Sequence, residues 1–239
     1  MAGEHYGIDA PTVVRNLALG GTALVVIGMV LPYWPATAAA SPNLIAFGIP
    51  MLVAAAWMLA SSLWLKKLVM RRLLDERAWS GGETVLDVGA GRGLVAIAAA
   101  RRVPRGRIHA VDLWQGVDLS GNNPEGLHRN AVAAGVDARL QVDTGDARSL
   151  PYPDNMFDVV TSMTVIHNIP DPAGRQKAIA EIWRVTKPGG QILIFDIRHA
   201  RSYLKQLRAL GVQGVKLTGP ILLWGPVGWR FSVIKATRQ

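Results

Sequence analysis

The sequence predicts an α/β fold, a doubly wound and mostly parallel sheet preceded by a transmembrane hairpin of two helices. Three observations predict it. Residues 83–88 form a short β-branched and apolar run, which stops in the turn Gly89-Ala90-Gly91-Arg92-Gly93 and is followed by an apolar helical run from Leu94. Beyond it, strand-like and helix-like runs alternate to the end of the chain, which implies parallel strands with right-handed crossovers. Before it, residues 17–65 carry no charged side chain.

The composition sets outer bounds. The 239 residues suffice for one α/β domain of about 150–160 residues with a further segment. With no cysteine, disulfides, cysteine-based zinc sites and cysteine nucleophiles are excluded, and no metal site is expected. The net charge of +9 suits nucleic acid or an anionic membrane surface. The apolar fraction of 50% lies at the top of the ordinary globular range.

Residues 1–12 are a short lead without the basic start of a signal peptide. They read either as a frayed terminus or as a lid. The uncharged stretch divides at Pro32-Tyr33-Trp34-Pro35 and Ser41-Pro42-Asn43 into candidate spans at 13–34 and 44–65. Each is long enough to cross a hydrocarbon core of about 30 Å. Tyr33, Trp34 and Trp64 stand near the ends, as interfacial aromatics do. Lys66, Lys67, Arg71 and Arg72 follow the second span, Arg15 precedes the first, and the link between them is uncharged. By the positive-inside rule, both termini and the following domain are expected in the cytoplasm, in a two-span protein of the cell membrane. Residues 66–80 have a helical pattern with basic positions. They read as a continuation of the second span, as a helix along anionic headgroups, or as a solvated connector. Ser80-Gly81-Gly82 marks the boundary of the domain at 81–239.

In that domain, strands are expected at 84–88, 107–111, 138–144, 157–163, 191–196, 215–222 and 229–237. Helices are expected at 94–102, 125–134, 175–185 and 200–210. The stretch 114–125 between the second strand and its helix is rich in Gly, Asn and Asp, and a turn at 225–228 separates the last two strands. Ligands bind at the carboxyl ends of such strands. That rule gathers Asp87 to Gly93, Asp112 to Trp114, Asp146 and Ala147, Met163 to His167, and Asp196 to His199 on one rim. The second strand ends in Asp112, about twenty residues past the glycine turn, where a carboxylate can accept ribose hydroxyls. Asp87 inside the motif and the G-x-G-x-G spacing argue against a dinucleotide dehydrogenase.

The motifs VLDVGAGRG, the VDL acid, GDARSLPYPDNMFDVV and EIWRVTKPGG occur in that order. On these residues the sequence resembles the class I S-adenosylmethionine (SAM) methyltransferases. Within them it is most similar to the ubiquinone/menaquinone-type small-molecule branch, methyltransferase type 11-like, over residues 81–237. The layout with an N-terminal anchor is similar to that of membrane thiol methyltransferases. The resemblance implies a Rossmann-like seven-stranded sheet with an antiparallel last strand, and SAM as the cofactor. It assigns Asp87, Gly89, Ala90, Gly91, Arg92 and Gly93 to the cofactor turn, and Asp112 with Leu113 to the ribose. Asp146 with Ala147 falls to the adenine, and Met163 with Thr164 to the methionine moiety. Arg92 either pairs with the SAM carboxylate or points outward. Trp114 stacks on adenine or walls the pocket, dips into a membrane interface, or packs its own loop. As a lid, the lead would bring His5, Tyr6 and Asp9 near the acceptor.

The sulfonium methyl group is already activated, so the protein must align donor and acceptor and exclude water. An oxygen or carbon acceptor also needs a base. His167, just past the fourth strand, is the first candidate. His199 is the second, with Asp196 as its partner. The Asn/Asp-Pro-Pro-Tyr signature of amino-group methylation is absent. The expected partners are a small lipophilic acceptor (a thiol, a quinol or phenol, or an isoprenoid-like molecule) and anionic lipid. A phospholipid headgroup amine is a further option. The competing classes are a nucleic-acid methyltransferase, for which no RNA-binding module is visible, and a non-catalytic SAM-binding protein. Oligomeric state is left open.

Overall fold

The computed structural model describes residues 4–116, 119–222 and 230–238. The turn expected at 225–228 and the expected strand start at Trp229 lie outside them.

Seven strands form one sheet in the order β3-β2-β1-β4-β5-β7-β6. They are β1 (Thr84–Val88), β2 (Arg107–Asp112), β3 (Leu140–Thr144), β4 (Phe157–Met163), β5 (Thr186–Asp196), β6 (Gln213–Leu222) and β7 (Arg230–Thr237). All adjacent pairs from β3 to β5 are parallel, and β7 runs antiparallel to both β5 and β6. The chain order reverses between β1 and β4, and a crevice opens beyond the carboxyl ends of strands at such a switch point.

Alternation along β1 sends Leu86 and Val88 to one face and Val85 to the other. Val85 meets α4 (Leu94–Ala100) and α5 (Pro124–Ala133) through Ala96, Ile97, Leu127 and Ala131. Leu86 meets α6 (Pro172–Val185) and α7 (Ala200–Ala209) through Ile179, Ile182, Tyr203 and Leu207. Several boundaries differ from expectation, among them the start of β3 at Leu140, the start of β6 at Gln213 and the end of α4 at Ala100, and two of the shifts have clear local reasons. Helix α6 starts at Pro172 because the Asp171 side chain caps it, accepting from the Gly174 amide at 2.5 Å. Strand β5 starts at Thr186, paired with Phe157, and a register shift then absorbs the two glycines before Gln191 meets Val159.

Among the described residues, two helices are long and apolar enough to cross a membrane, Pro11–Tyr33 and Ala38–Asp75. The first is α1 (Pro11–Val30) with a short 3-10 end. The second runs from α2 (Ser41–Ala60) through a π-helical turn, Ser61–Leu65, into α3 (Lys66–Asp75). The basic segment therefore continues the apolar helix. Apart from Met58, the buried positions of α1 and α2 are small, and Ser41, Gly48 and Ala55 recur at heptad spacing, which Ser62 of the π-helical turn continues. A Cβ on Gly48 would lie 2.8 Å from the Gly21 carbonyl oxygen, so the two backbones touch there. The Ser41 hydroxyl donates to the Gly28 carbonyl at 2.6 Å. Large apolar side chains face outward instead, including Phe47, Leu19 and Trp64. Lower down, Met70 and Leu74 of α3 pack on Val95, Phe195 and Val233, which docks the helix on the domain. Lys67 is half-buried, while Arg71 and Arg72 remain exposed.

Candidate functional site

The turn after β1 is built by backbone that only glycine supplies. Gly89 has φ +72°, and a Cβ there would fall 2.1 Å from a Val165 methyl group. The Gly89 and Ala90 amides both donate to the Val111 carbonyl, at 2.8 and 3.1 Å. This holds the turn beside the end of β2. Asp87 lies beneath it, fully buried. Its carboxylate accepts from the Ala96 amide at 3.0 Å and from the Thr161 hydroxyl at 2.8 Å. Burial outweighs those bonds and pushes the Asp87 carboxyl up to about 7.

Asp112 ends β2 and gathers the neighbouring loops. It accepts from the Gly91 amide at 2.8 Å, the Trp114 amide at 2.6 Å and the Asn122 side chain at 3.3 Å. A carboxylate offers about four acceptor positions, so capacity remains for a hydroxyl. Leu113 is exposed at the rim. Trp114 packs its own loop: its indole N–H donates to the Thr144 hydroxyl at 2.8 Å and its ring rests on the cluster around α4 and α5. Asp146 receives the Arg148 guanidinium at 2.6 Å, and this hydrogen bond holds the carboxyl below the usual range. Thr164 has φ +55°, strained for a β-branched residue, and its amide donates to the Phe195 carbonyl at 2.8 Å. Arg92 reaches sideways to the Ser120 carbonyl at 3.4 Å.

His167 sits on a short 3-10 turn after β4. Its Nδ1 lies 2.5 Å from Oδ1 of Asp196, whose carboxylate is buried at the end of β5. Asp196 also accepts from the amides of His167 and Ile197, at 3.1 and 2.8 Å, and from the Tyr203 hydroxyl at 3.4 Å. A carboxylate so held fixes an imidazole with its proton on Nδ1 and leaves Nε2 as the basic nitrogen. The expected pairing of Asp196 with His199 is therefore corrected. His199 has a left-handed backbone, φ 61°, at the start of α7, and its ring lies 6.4 Å from that of Tyr203. It is not among the cavity walls. Burial and the nearby Arg175 push its imidazole down.

These elements enclose a cavity of about 580 Å³. Gly93 of the glycine turn packs toward Ile97 and Leu127 and is not among its walls, whereas Asp87, Gly89 to Arg92 of the same turn, Asp112, Leu113, Asp146, Ala147, Met163, Thr164 and His167 all line it. So do residues from outside the domain. Tyr6 and Asp9 of the lead, Val13 of α1, Met58 of α2 and Lys66 of α3 share the same walls. The lead is fastened across the domain rather than frayed. Ile8 donates to the Ser120 hydroxyl at 2.8 Å and accepts from the Ser120 amide at 3.1 Å, and the Asn130 side chain bonds both backbone groups of His5. His5 itself does not line the cavity. Lys66, which the sequence presents as a headgroup cation, is buried. Its Nζ donates to Asp9 at 3.0 Å and to the Tyr6 and Gly7 carbonyls at 3.3 and 3.2 Å. Ser62 donates to the same carboxylate at 3.1 Å. No local pattern around Lys66 signals this contact, because its partners lie at the other end of the apolar pair.

Residues 86–194 match the family model described as a methyltransferase domain. Among curated relatives, the ubiquinone/menaquinone biosynthesis C-methyltransferase UbiE of Dinoroseobacter shibae is 34% identical over 127 residues, 52% of this chain and 46% of that protein. The ubiquinone biosynthesis O-methyltransferase of Aeromonas salmonicida is 34% identical over 137 residues, 56% of this chain and 52% of that protein. The chain thus spans about half the length of the curated relatives it matches. The fold is also similar to the crystal structure of a SAM-dependent methyltransferase from Aquifex aeolicus. That likeness has TM-score 0.55 and 19% identity, covering 71% of this chain and 89% of the other. SAM is the cofactor that the name of this structural neighbour gives. The residues fit it: bare glycine backbone, an acid after β2 and another after β3 converge on one cavity of a size that encloses such a ligand.

Proposed function

On the premise that residues 86–194 are a methyltransferase domain of the class I SAM-dependent family, we propose that the chain is an integral-membrane methyltransferase. Its acceptor is a small lipophilic molecule in or at the membrane: a thiol, a quinol or phenol, or an isoprenoid-like compound. One observation carries this reading. The cavity that holds the glycine turn and Asp112 also takes walls from Val13 and Met58, on two apolar helices. A soluble acceptor gives no reason for that junction. The relatives named above are quinone-biosynthesis enzymes, one a C- and one an O-methyltransferase, so the likeness points to an acceptor class and leaves the acceptor atom open.

In this reading α1 and α2 span the membrane. Each has 20 residues, roughly 30 Å of helix. Arg71 and Arg72 face the cytoplasmic leaflet, with both termini and the domain on that side.

SAM, when bound, supplies an activated methyl group. The rest falls to the chain. Asp112 and Asp146 hold the nucleoside end, and the glycine turn admits it against bare backbone. The fastened lead excludes water from the cleft. His167 Nε2 takes the acceptor proton, while Asp196 fixes the imidazole tautomer and its orientation.

The test is transfer from labelled SAM by the full chain in lipid nanodiscs, against quinols, phenols and thiols and their sulfonated, water-soluble analogues. Transfer to lipophilic members over their soluble analogues is expected. Transfer confined to soluble acceptors, or to RNA, overturns the reading.

A further inference from the structure

The cavity has a mouth on the helix pair. Val13 lines the cavity and yet keeps 43% of its surface exposed, so it stands at an opening. Met58 lines it from within, 6% exposed. The outer surface beside them is apolar, with Trp57 and Leu63 both exposed. On the domain side, Met163 and Ile197 line the cavity and belong to the cluster in which Leu65 and Met70 dock on the sheet. An apolar wall therefore joins the reaction cleft to the surface of the helix pair. The polar lead, held by Asp9 and Lys66, closes another side.

We propose that the acceptor is a single-chain amphiphile that enters sideways from the bilayer past Val13. Its methyl-accepting head lies toward His167, and its chain is held between Val13 and Met58. This rests on the membrane methyltransferase reading. The interior of a bilayer is as apolar as a leucine side chain, so moving a chain from lipid into this channel gains little from hydrophobicity alone. Discrimination must come from shape, and Val13 and Met58 are the side chains placed to impose it.

Isomers of equal carbon number separate shape from partitioning. The test measures kcat/KM of the full chain in nanodiscs on the para-n-octyl and para-tert-octyl forms of phenol and thiophenol and on the 2-n-octyl and 2-tert-octyl hydroquinones. The native chain is expected to favour the linear isomer of the reacting head by at least about tenfold. Val13→Ala and Met58→Ala, each retaining SAM binding as a check of the fold, are expected to erode that preference several-fold. Equal rates on the two isomers, or a preference that neither variant changes, overturn lateral entry and leave the methyltransferase reading standing. No transfer to any head by protein that binds SAM overturns the lipophilic-acceptor reading, and this inference with it.

Discussion

Nδ1 of His167 lies 2.5 Å from Oδ1 of Asp196, and the two residues come from neighbouring strand ends that the β4–β5 pairing brings together. Asp196 takes two backbone N–H groups and a tyrosine hydroxyl besides, so its orientation is fixed by the fold. On an acceptor that must lose a proton, His167→Ala is expected to lower kcat by about a hundred- to ten-thousandfold. Asp196→Asn should lower it by on the order of a hundredfold, because the imidazole loses the carboxylate that fixes its tautomer and orientation. Retention of full rate by His167→Ala on a phenol would remove the base from the mechanism.

Asp87 makes stability depend on pH. Its folded pKa of about 7 stands above the ordinary 3.8, so the native state prefers the protonated form. The Asp87 contribution to the stability of the cofactor-free chain should be full below about pH 4 and be lost as pH rises through about 7. Asp87→Asn keeps an acceptor for the Ala96 amide and a donor toward Thr161, and should flatten that decline. Denaturation midpoints across the range read this directly. Bound SAM places positive charge in the cavity that Asp87 lines, which favours the carboxylate, so SAM affinity should weaken as pH falls below about 7.

The Lys66–Asp9 pair is buried, with side chains 3% and 15% exposed. Lys66→Met strands a carboxylate and should destabilise the fastened lead by on the order of 3–5 kcal/mol. The double variant Lys66→Met with Asp9→Leu should recover most of that loss, since apolar replacement of a whole buried pair is often neutral. Limited proteolysis of the first ten residues and thermal denaturation in detergent both report it. A double variant as unstable as the single one would show that the pair is needed as ions.

Gly48→Val should weaken the helix pair by about 1–3 kcal/mol, because the new side chain meets the Gly21 carbonyl at 2.8 Å. Phe47→Val, on the exposed face, should be close to neutral when the protein is unfolded in mixed micelles.

Much of the fold was legible because local signals agreed with the tertiary outcome. The boundaries of β1 and β4 follow their apolar runs, and the glycine turn and Asp112 sit where a nucleotide-binding crossover places them. The start of β5 was hidden because Pro188, Gly189 and Gly190 read as a turn, whereas the ladder takes them up through a register shift. The start of α6 was signalled by Asp171-Pro172, a cap followed by a proline. The partner of Asp196 was misassigned because His199 is nearer in sequence, while His167 is brought in by strand pairing. Lys66 was unreadable for the same kind of reason: its ligands at Tyr6, Gly7 and Asp9 are set by the return of the apolar helix pair.

Walls from the glycine-turn domain and from the apolar helix pair meet in one cavity. The chain has no cysteine, so a single one at Met58→Cys can be followed alone. A molecule of SAM's size fills much of a cavity of about 580 Å³. Alkylation of Met58→Cys by N-ethylmaleimide should therefore slow severalfold when SAM is bound, while Val132→Cys, on the exposed face of α5, reacts at the same rate with and without it. Equal rates at Met58→Cys in protein shown to bind SAM would contradict the shared cavity.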